Sequence, residues 1–161
     1  MRIAAIDPGS RGGVGFALLQ LEGLQLLDSA AVHVQLPAHS HDKTPLWRAI
    51  TKQLDAFNLT HDDVIAYEQV IKHSSVYAAH LYGGQVAIIQ QYGSYLGLHQ
   101  SVPVPVATVK RFLQSRAAGK DKAKAQVEAA RRLGYNVIND HNAADALGVA
   151  LGAAWLMKRS Q

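Results

Sequence analysis

The sequence predicts an α/β fold in which an antiparallel three-strand meander precedes alternating helices and strands. Three observations carry that expectation. Short apolar runs at 2–7, 14–20 and 24–34 are separated only by turn residues, as a meander requires. Beyond residue 43 the apolar spacing alternates between the helical three-and-four pattern and short continuous runs. The 161 residues are 48% hydrophobic and 17% charged, enough to bury one core, so residues 1–161 are expected to form one domain.

Taken in order, Arg2–Asp7 (RIAAID) reads as a buried strand, and Pro8-Gly9-Ser10-Arg11-Gly12-Gly13 as the turn that closes it. Val14–Gln20 and Leu24–Val34, parted by Glu22-Gly23, complete the meander. Residues 35–43 read as loop. Thr44-Pro45 has the form of an N-cap followed by proline at the first helical position, and Leu46, Ile50, Leu54 and Phe57 recur at helical spacing. Asp63–Val70 is the fourth strand, with Glu68 near its end. Ser74 or Ser75 caps a long helix running towards Leu98. Gly83-Gly84 in its middle costs about 1 kcal/mol per glycine relative to alanine, which calls for a kink or for close approach of another backbone or a ligand. Val102–Ala107 (VPVPVA) is a fifth strand that its prolines assign to an edge or a strand start. Residues 108–120 read as a basic, partly loop-like connection. Asp121–Leu133 is a helix stopped by Gly134, and Asp140–Met157 is the last helix. Gly148 and Gly152, one turn apart, let that helix lie close against a neighbour.

Composition narrows the functional classes. With no cysteine there is neither a disulfide framework nor a thiolate metal site, which fits a reducing cytoplasm. Only four apolar residues separate Arg2 from Asp7, too few for a signal-peptide core. The run Ala146–Met157 falls short of the ~18 residues a membrane span needs. The net charge is +4, yet Lys110–Arg132 holds eight basic residues against two acidic ones, a balance of +6 that leaves −2 elsewhere. A basic stretch on a near-neutral body points to a polyanionic partner, although a solvated helix face accounts for the same charges.

Three carboxylates stand in unusual places. Asp7 ends the first strand immediately before a turn, and Glu68 follows an apolar run in the same way. Asp145 lies in the apolar helix AADALGVALGAAW, a costly position for a charge unless something pairs with it. Asn142 is three residues earlier on the same helix face, and Asp140 is close by. Gathered together, such oxygen ligands suit Mg²⁺ or Mn²⁺. Taken singly, Asp7 also reads as a turn residue, Glu68 as half of a surface ion pair, and Asp145 as a charge near a helix N-terminus.

The motifs resemble one family. IDPGSRGGVGFAL is very close to the opening signature of the RuvC-type Holliday junction resolvases of the RNase H-like superfamily. IAYEQV at 65–70 resembles their second motif, VATVKRFL their lysine-bearing segment, and NAADALGVAL at 142–151 their last. GYNVINDHNAADAL is most similar to the phage and prophage branch. The resemblance covers residues 1 to about 152. It implies an RNase H-like fold, with a five-stranded mixed sheet flanked by helices, and a metal-dependent nuclease that nicks branched DNA such as Holliday junctions. It implies two Mg²⁺ ions per site, with Mn²⁺ substituting or preferred, and a homodimer matched to a twofold-symmetric junction. It implies metal-binding catalytic roles for Asp7, Glu68 and Asp145, and a catalytic or phosphate-contacting role for Lys110. Candidate DNA contacts are Ser10, Arg11, Ile71, Lys110, Arg111, Arg116, Lys120, Lys122 and Lys124, though solvated lysines are common.

Two positions depart from the family pattern. Three residues before Asp145, where another carboxylate or a histidine is usual, stands Asn142; Asp140, His141 or the Asn142 amide oxygen is left to complete the metal set. After Glu68-Gln69-Val70, where an aromatic wedge is usual, stands Ile71. The alternative reading is an RNase H-like module that grips branched DNA with little or no cleavage; the three acids argue against it and Asn142 for it. An actin-like nucleotide-binding fragment would need further glycine-rich phosphate loops, which the sequence lacks. Trp47, Phe57, Phe112 and Trp155 read as packing residues, as do Tyr77 and Tyr82.

Overall fold

Side chains alternate across a strand, so the apolar residues of RIAAID must serve two cores. A computed structural model, which describes residues 1–9, 13–35, 42–98, 101–113 and 122–159, has them do so. Strands β1 (Arg2–Asp7), β2 (Gly13–Gln20), β3 (Gln25–His33), β4 (Val64–Gln69) and β5 (Ser101–Pro105) form one mixed sheet in the order β3-β2-β1-β4-β5. The first three are antiparallel, and β4 and β5 run parallel to β1. Ile3 and Ala5 of β1 face one side with Val64, Ala66 and Val104, under helices α3 (Val106–Leu113), α4 (Lys122–Arg132) and α5 (His141–Arg159). Ala4 and Ile6 face the other with Phe16, Ile65 and Tyr67, against α1 (Thr44–Ala56) and α2 (Val76–Tyr95). Among the described residues no helix is long and apolar enough to cross a membrane.

The meander, the strand positions, the edge placement of β5, the Ser75 cap and the stop at Gly134 (φ +93°) follow the sequence expectation. Gly148 and Gly152 likewise receive a close neighbour: the former lies under Val109 and Leu113, the latter under Val104 and Thr108. Three details differ. Thr44 is the first helical residue and not its cap; Lys43 holds the cap position without a side-chain bond, and the Asp42 carboxylate accepts the Thr44 N–H at 2.9 Å. Residues 106–113 are helix where strand end and loop were expected. Pro105 closes β5, and Val109 and Leu113, one turn apart, are then buried against α5 while Lys110 and Arg111 face outward. Finally, α2 continues through Gly83-Gly84, and what lies against Gly84 is a side chain, the Trp47 indole; among the described residues nothing crowds Gly83.

The start of β1 is tied to the start of β4. Asp63, 5% exposed, accepts the Arg2 backbone N–H at 2.8 Å and pairs with its guanidinium at 2.6 Å, while Thr60 donates its N–H at 2.9 Å. Burial alone would raise this carboxyl's pKa, but the donated hydrogen bonds and the guanidinium win and lower it from 3.8 to about 2. A depressed carboxylate stabilises the fold above its unfolded value and ceases to as pH falls through its folded one. Stability is therefore expected to drop by about 2 kcal/mol between pH 4 and pH 2 on account of this group. Denaturant melts of the wild type and Asp63→Asn across that range check it: the variant should start less stable and show a flatter acid limb. Parallel limbs would remove Asp63 as the source.

Candidate active site

Registry brings the first two acids together. Ile6 pairs with Tyr67 in the parallel β1–β4 ladder, so the next step sets Asp7 beside Glu68 at the carboxyl ends of both strands. By alternation both sit on the face covered by α5. On the flanking strands Asp7 is paired with Gly15 and Glu68 with Val104. Asp7 is 8% exposed and Glu68 partly so.

The helix α5 crosses the sheet at this level. The Asn142 carbonyl abuts Gly15 on β2 so closely that a Cβ there would collide with it, and Gly152 lies under Val104 on β5. Ten residues of helix span ~15 Å and three strand spacings ~14 Å, so α5 passes over the strand ends in turn. Asp145, one turn after Asn142, falls near the end of β1.

Asp140 starts this helix. Its carboxylate accepts the N–H groups of Asn142 (2.8 Å) and Ala143 (3.4 Å), and Nε2 of His33 is 3.3 Å away. It is thus the N-cap itself. Burial opposes the charged form, yet these bonds outweigh it and hold the carboxyl below its ordinary value. The Asn142 side chain turns towards β2 and β3: its Nδ2 lies 3.1 Å and His33 Nδ1 3.2 Å from where a Gly13 Cβ would be.

Three residues hold the site in place: Gln126 and Gln85, which the sequence did not single out, and Tyr82, which it gave only as packing. Gln126 of α4, 3% exposed, donates from Nε2 to Asp145 Oδ1. It therefore orients that carboxylate from outside, as hydrogen-bonded partners of ligating groups do. From the opposite face, Tyr82 of α2 donates to the Glu68 carbonyl (3.0 Å) and accepts the Val70 N–H (3.1 Å). Tyr82 is thus a backbone brace and not merely a packing residue. One turn on, fully buried Gln85 donates to the Gly9 carbonyl at 3.0 Å. Tyr82 and Gln85, three apart in the largely apolar VYAAHLYGGQVAII, were a readable sign of this brace. Gln126, among the alanines and charges of α4, gave none.

Among the described residues no three His, Asp or Glu side chains stand close enough to form a metal-holding group. The donor set nevertheless suits a hard divalent cation. It comprises two neighbouring strand-end carboxylates on one face and, on the helix above, a carboxylate oriented by an amide and a carboxamide. Asp140 caps the helix through Oδ1, with its Oδ2 beside His33.

Of the candidate DNA contacts, Ser10, Arg11, Arg116 and Lys120 lie outside the described residues, and Lys122 begins α4. Lys110 and Arg111 on α3 and Lys124 on α4 are exposed; Lys124 lines a groove of about 290 Å³ with Glu128, Arg131, Asp140 and His141. Ile71 is 88% exposed in the segment joining β4 to α2, three residues beyond Glu68.

Sheet order and helices on both faces define an RNase H-like α/β fold. Among solved structures this chain is similar to RuvC of T. thermophilus in complex with a Holliday junction substrate, with a TM-score of 0.72 and 20% identity over 99% of this chain and 96% of that one. A second Thermus thermophilus RuvC structure gives 0.70 and 20% over 99% and 97%. A Fowlpox virus resolvase in complex with Holliday junction DNA gives 0.56 and 10% over 92% and 95%. The chain has the fold of the RuvC-type resolvases. At the level of sequence, no protein-family profile and no curated protein matches it.

Proposed function

We propose that this chain is a metal-dependent endonuclease that nicks branched DNA, four-way junctions foremost. The observation that carries the reading is the adjacency of Asp7 and Glu68 beneath the helix bearing Asp145. A fold shared with resolvases solved on Holliday junctions supports it. Asp7, Glu68 and Asp145, with the Asn142 amide oxygen, would hold two divalent ions, which supply an activated water and stabilise the leaving 3′ oxygen. Gln126 keeps one Asp145 oxygen engaged and so aims the other. Lys110 and the α4 lysines Lys122 and Lys124 contribute phosphate contacts, as do Ser10, Arg11, Arg111, Arg116 and Lys120 in this reading. Residues 1–161 act as one domain, in the cytoplasm, and as a homodimer, since two opposed strands of a twofold-symmetric junction must be cut.

The deciding experiment is cleavage of a panel of four-way junctions, forks and linear duplexes with Mg²⁺ or Mn²⁺. Paired nicks near the branch point are expected. Tight junction binding with no cleavage in either ion would favour the non-cleaving DNA-binding module. Cut positions should be spread over several sequences, because Ile71 lacks the ~1–3 kcal/mol of stacking an aromatic wedge supplies. A sharp four-base preference would count against that.

The neutral Asn142 oxygen makes the ligand set one charge poorer than a carboxylate would, so Mn²⁺ should activate better than Mg²⁺. Asn142→Asp is expected to raise Mg²⁺-supported cleavage several-fold. Asp140→Asn, which retains a good cap, should change it little. Loss of activity in Asp140→Asn together with tolerance of Asn142→Ala would reassign the ligand to Asp140.

A further inference from the structure

At the far end of α5 lies a cationic cluster remote from the carboxylates. The guanidinium carbons of Arg111 and Arg159 lie 5.5 Å and 4.6 Å from the centroid of the Trp155 ring, and exposed Lys158 adjoins them. None of the three cations forms an ion pair among the described residues. Neither α3 nor α5 beyond Asp145 contains an acidic residue to neutralise them. Two guanidiniums gathered at one indole repel each other. The negative ring face offsets part of that repulsion and orders both side chains, leaving their N–H forks turned to solvent. Ordered forks with no carboxylate partner among the described residues match one class of anion best, phosphate oxygens.

The cluster's position says which phosphate. Gly152 already lies under the edge strand β5, so residues 155–159 extend past the sheet at the level of Asp7 and Glu68. They are 10 to 14 residues beyond Asp145, or ~15–21 Å along the helix. On B-form DNA that distance is about four to six base pairs at 3.4 Å each.

We propose that Arg111, Lys158 and Arg159, ordered by Trp155, grip the phosphate backbone of a duplex arm about four to six base pairs from the cut. This rests on the nuclease reading, and it adds to the lysines of α4 a separate contact on the opposite side of the site.

The test is fluorescence anisotropy of a labelled four-way junction without divalent ions, over 50–200 mM salt. For the double variant Arg111→Ala, Arg159→Ala, the log-log slope should shrink by about 2, so affinity falls about tenfold less across that range than for the wild type. Trp155→Phe should bind like the wild type, whereas Trp155→Leu, checked for an intact melt, should bind several-fold more weakly. Lys158→Ala, at an exposed helix end where folding is not at risk, should lower the slope by up to about 1. An unchanged slope in the double variant and in Lys158→Ala, with the wild type binding tightly, overturns the cluster and leaves the nuclease reading standing. A wild type that binds no branched or linear DNA overturns both.

Discussion

Asp7→Asn, Glu68→Gln and Asp145→Asn are each expected to lower strand cleavage by ~10³-fold or more while leaving junction affinity within a few-fold. The separation follows from where the groups sit. Asp7 and Glu68 are side by side at strand ends under α5, where in the proposed reading they would hold the divalent ions and would not grip the DNA backbone at large. A ligand that binds a divalent ion directly should matter more than its hydrogen-bonded supporters, whose loss typically costs 10–100-fold. Affinity comes instead from phosphate contacts by cationic side chains. All three replacements are nearly isosteric, so the sheet and α5 should persist; Asn at 145 can still accept from Gln126. Single-turnover cleavage with anisotropy on the same protein samples measures both halves. Near-normal turnover in one variant would exclude that residue from the site, whereas loss of binding in all three would point to a structural role.

Gly15→Ala should lower stability by ~1–3 kcal/mol and cleavage by about a hundredfold, though the residue has no side chain to offer the chemistry. A Cβ at Gly15 would collide with the carbonyl oxygen and carbon of Asn142, and these are backbone atoms that cannot swing aside. The helix must lift as a body. Because Gly15 is paired with Asp7, the lift opens the gap between Asp7 and the helix that carries Asn142 and Asp145. For a chain of this size the melting temperature should drop by ~2–4 °C per kcal/mol. Gly83→Ala is the control: among the described residues nothing beyond its own helix backbone lies within 4 Å of the added methyl, and ~0.5–1 kcal/mol of stabilisation is expected. Wild-type melting and cleavage by Gly15→Ala would show that this contact does not set the helix height.

What the sequence disclosed follows the reach of periodicity. Strand alternation is local, so β1 and β4 were legible, and with a parallel pairing their terminal acids had to be neighbours. The helix over 106–113 was obscured by two β-branched valines, a threonine and the basic pair Lys110-Arg111; its warrant is tertiary, the burial of Val109 and Leu113 against a glycine 35 or more residues away. Gly83-Gly84 announced a close approach but not that an indole from α1 makes it. Asp140 was near enough to Asp145 to compete as a ligand, and the cap it forms through Oδ1 was not readable from that spacing. The Gln126 bond to Asp145 spans 19 residues between two helices, and no pattern within either helix encodes it.

The prolines of β5 have a consequence for how copies of this protein meet. A parallel strand uses alternate residues for one neighbour, so Val102 and Val104, which can donate, serve β4. Pro103 and Pro105 fall on the other alternation, and the outer margin of β5 offers carbonyls without N–H groups at those positions. No foreign strand can ladder onto that side of the sheet. Edge-to-edge stacking of molecules, the first step towards cross-β fibres, is confined to the β3 side.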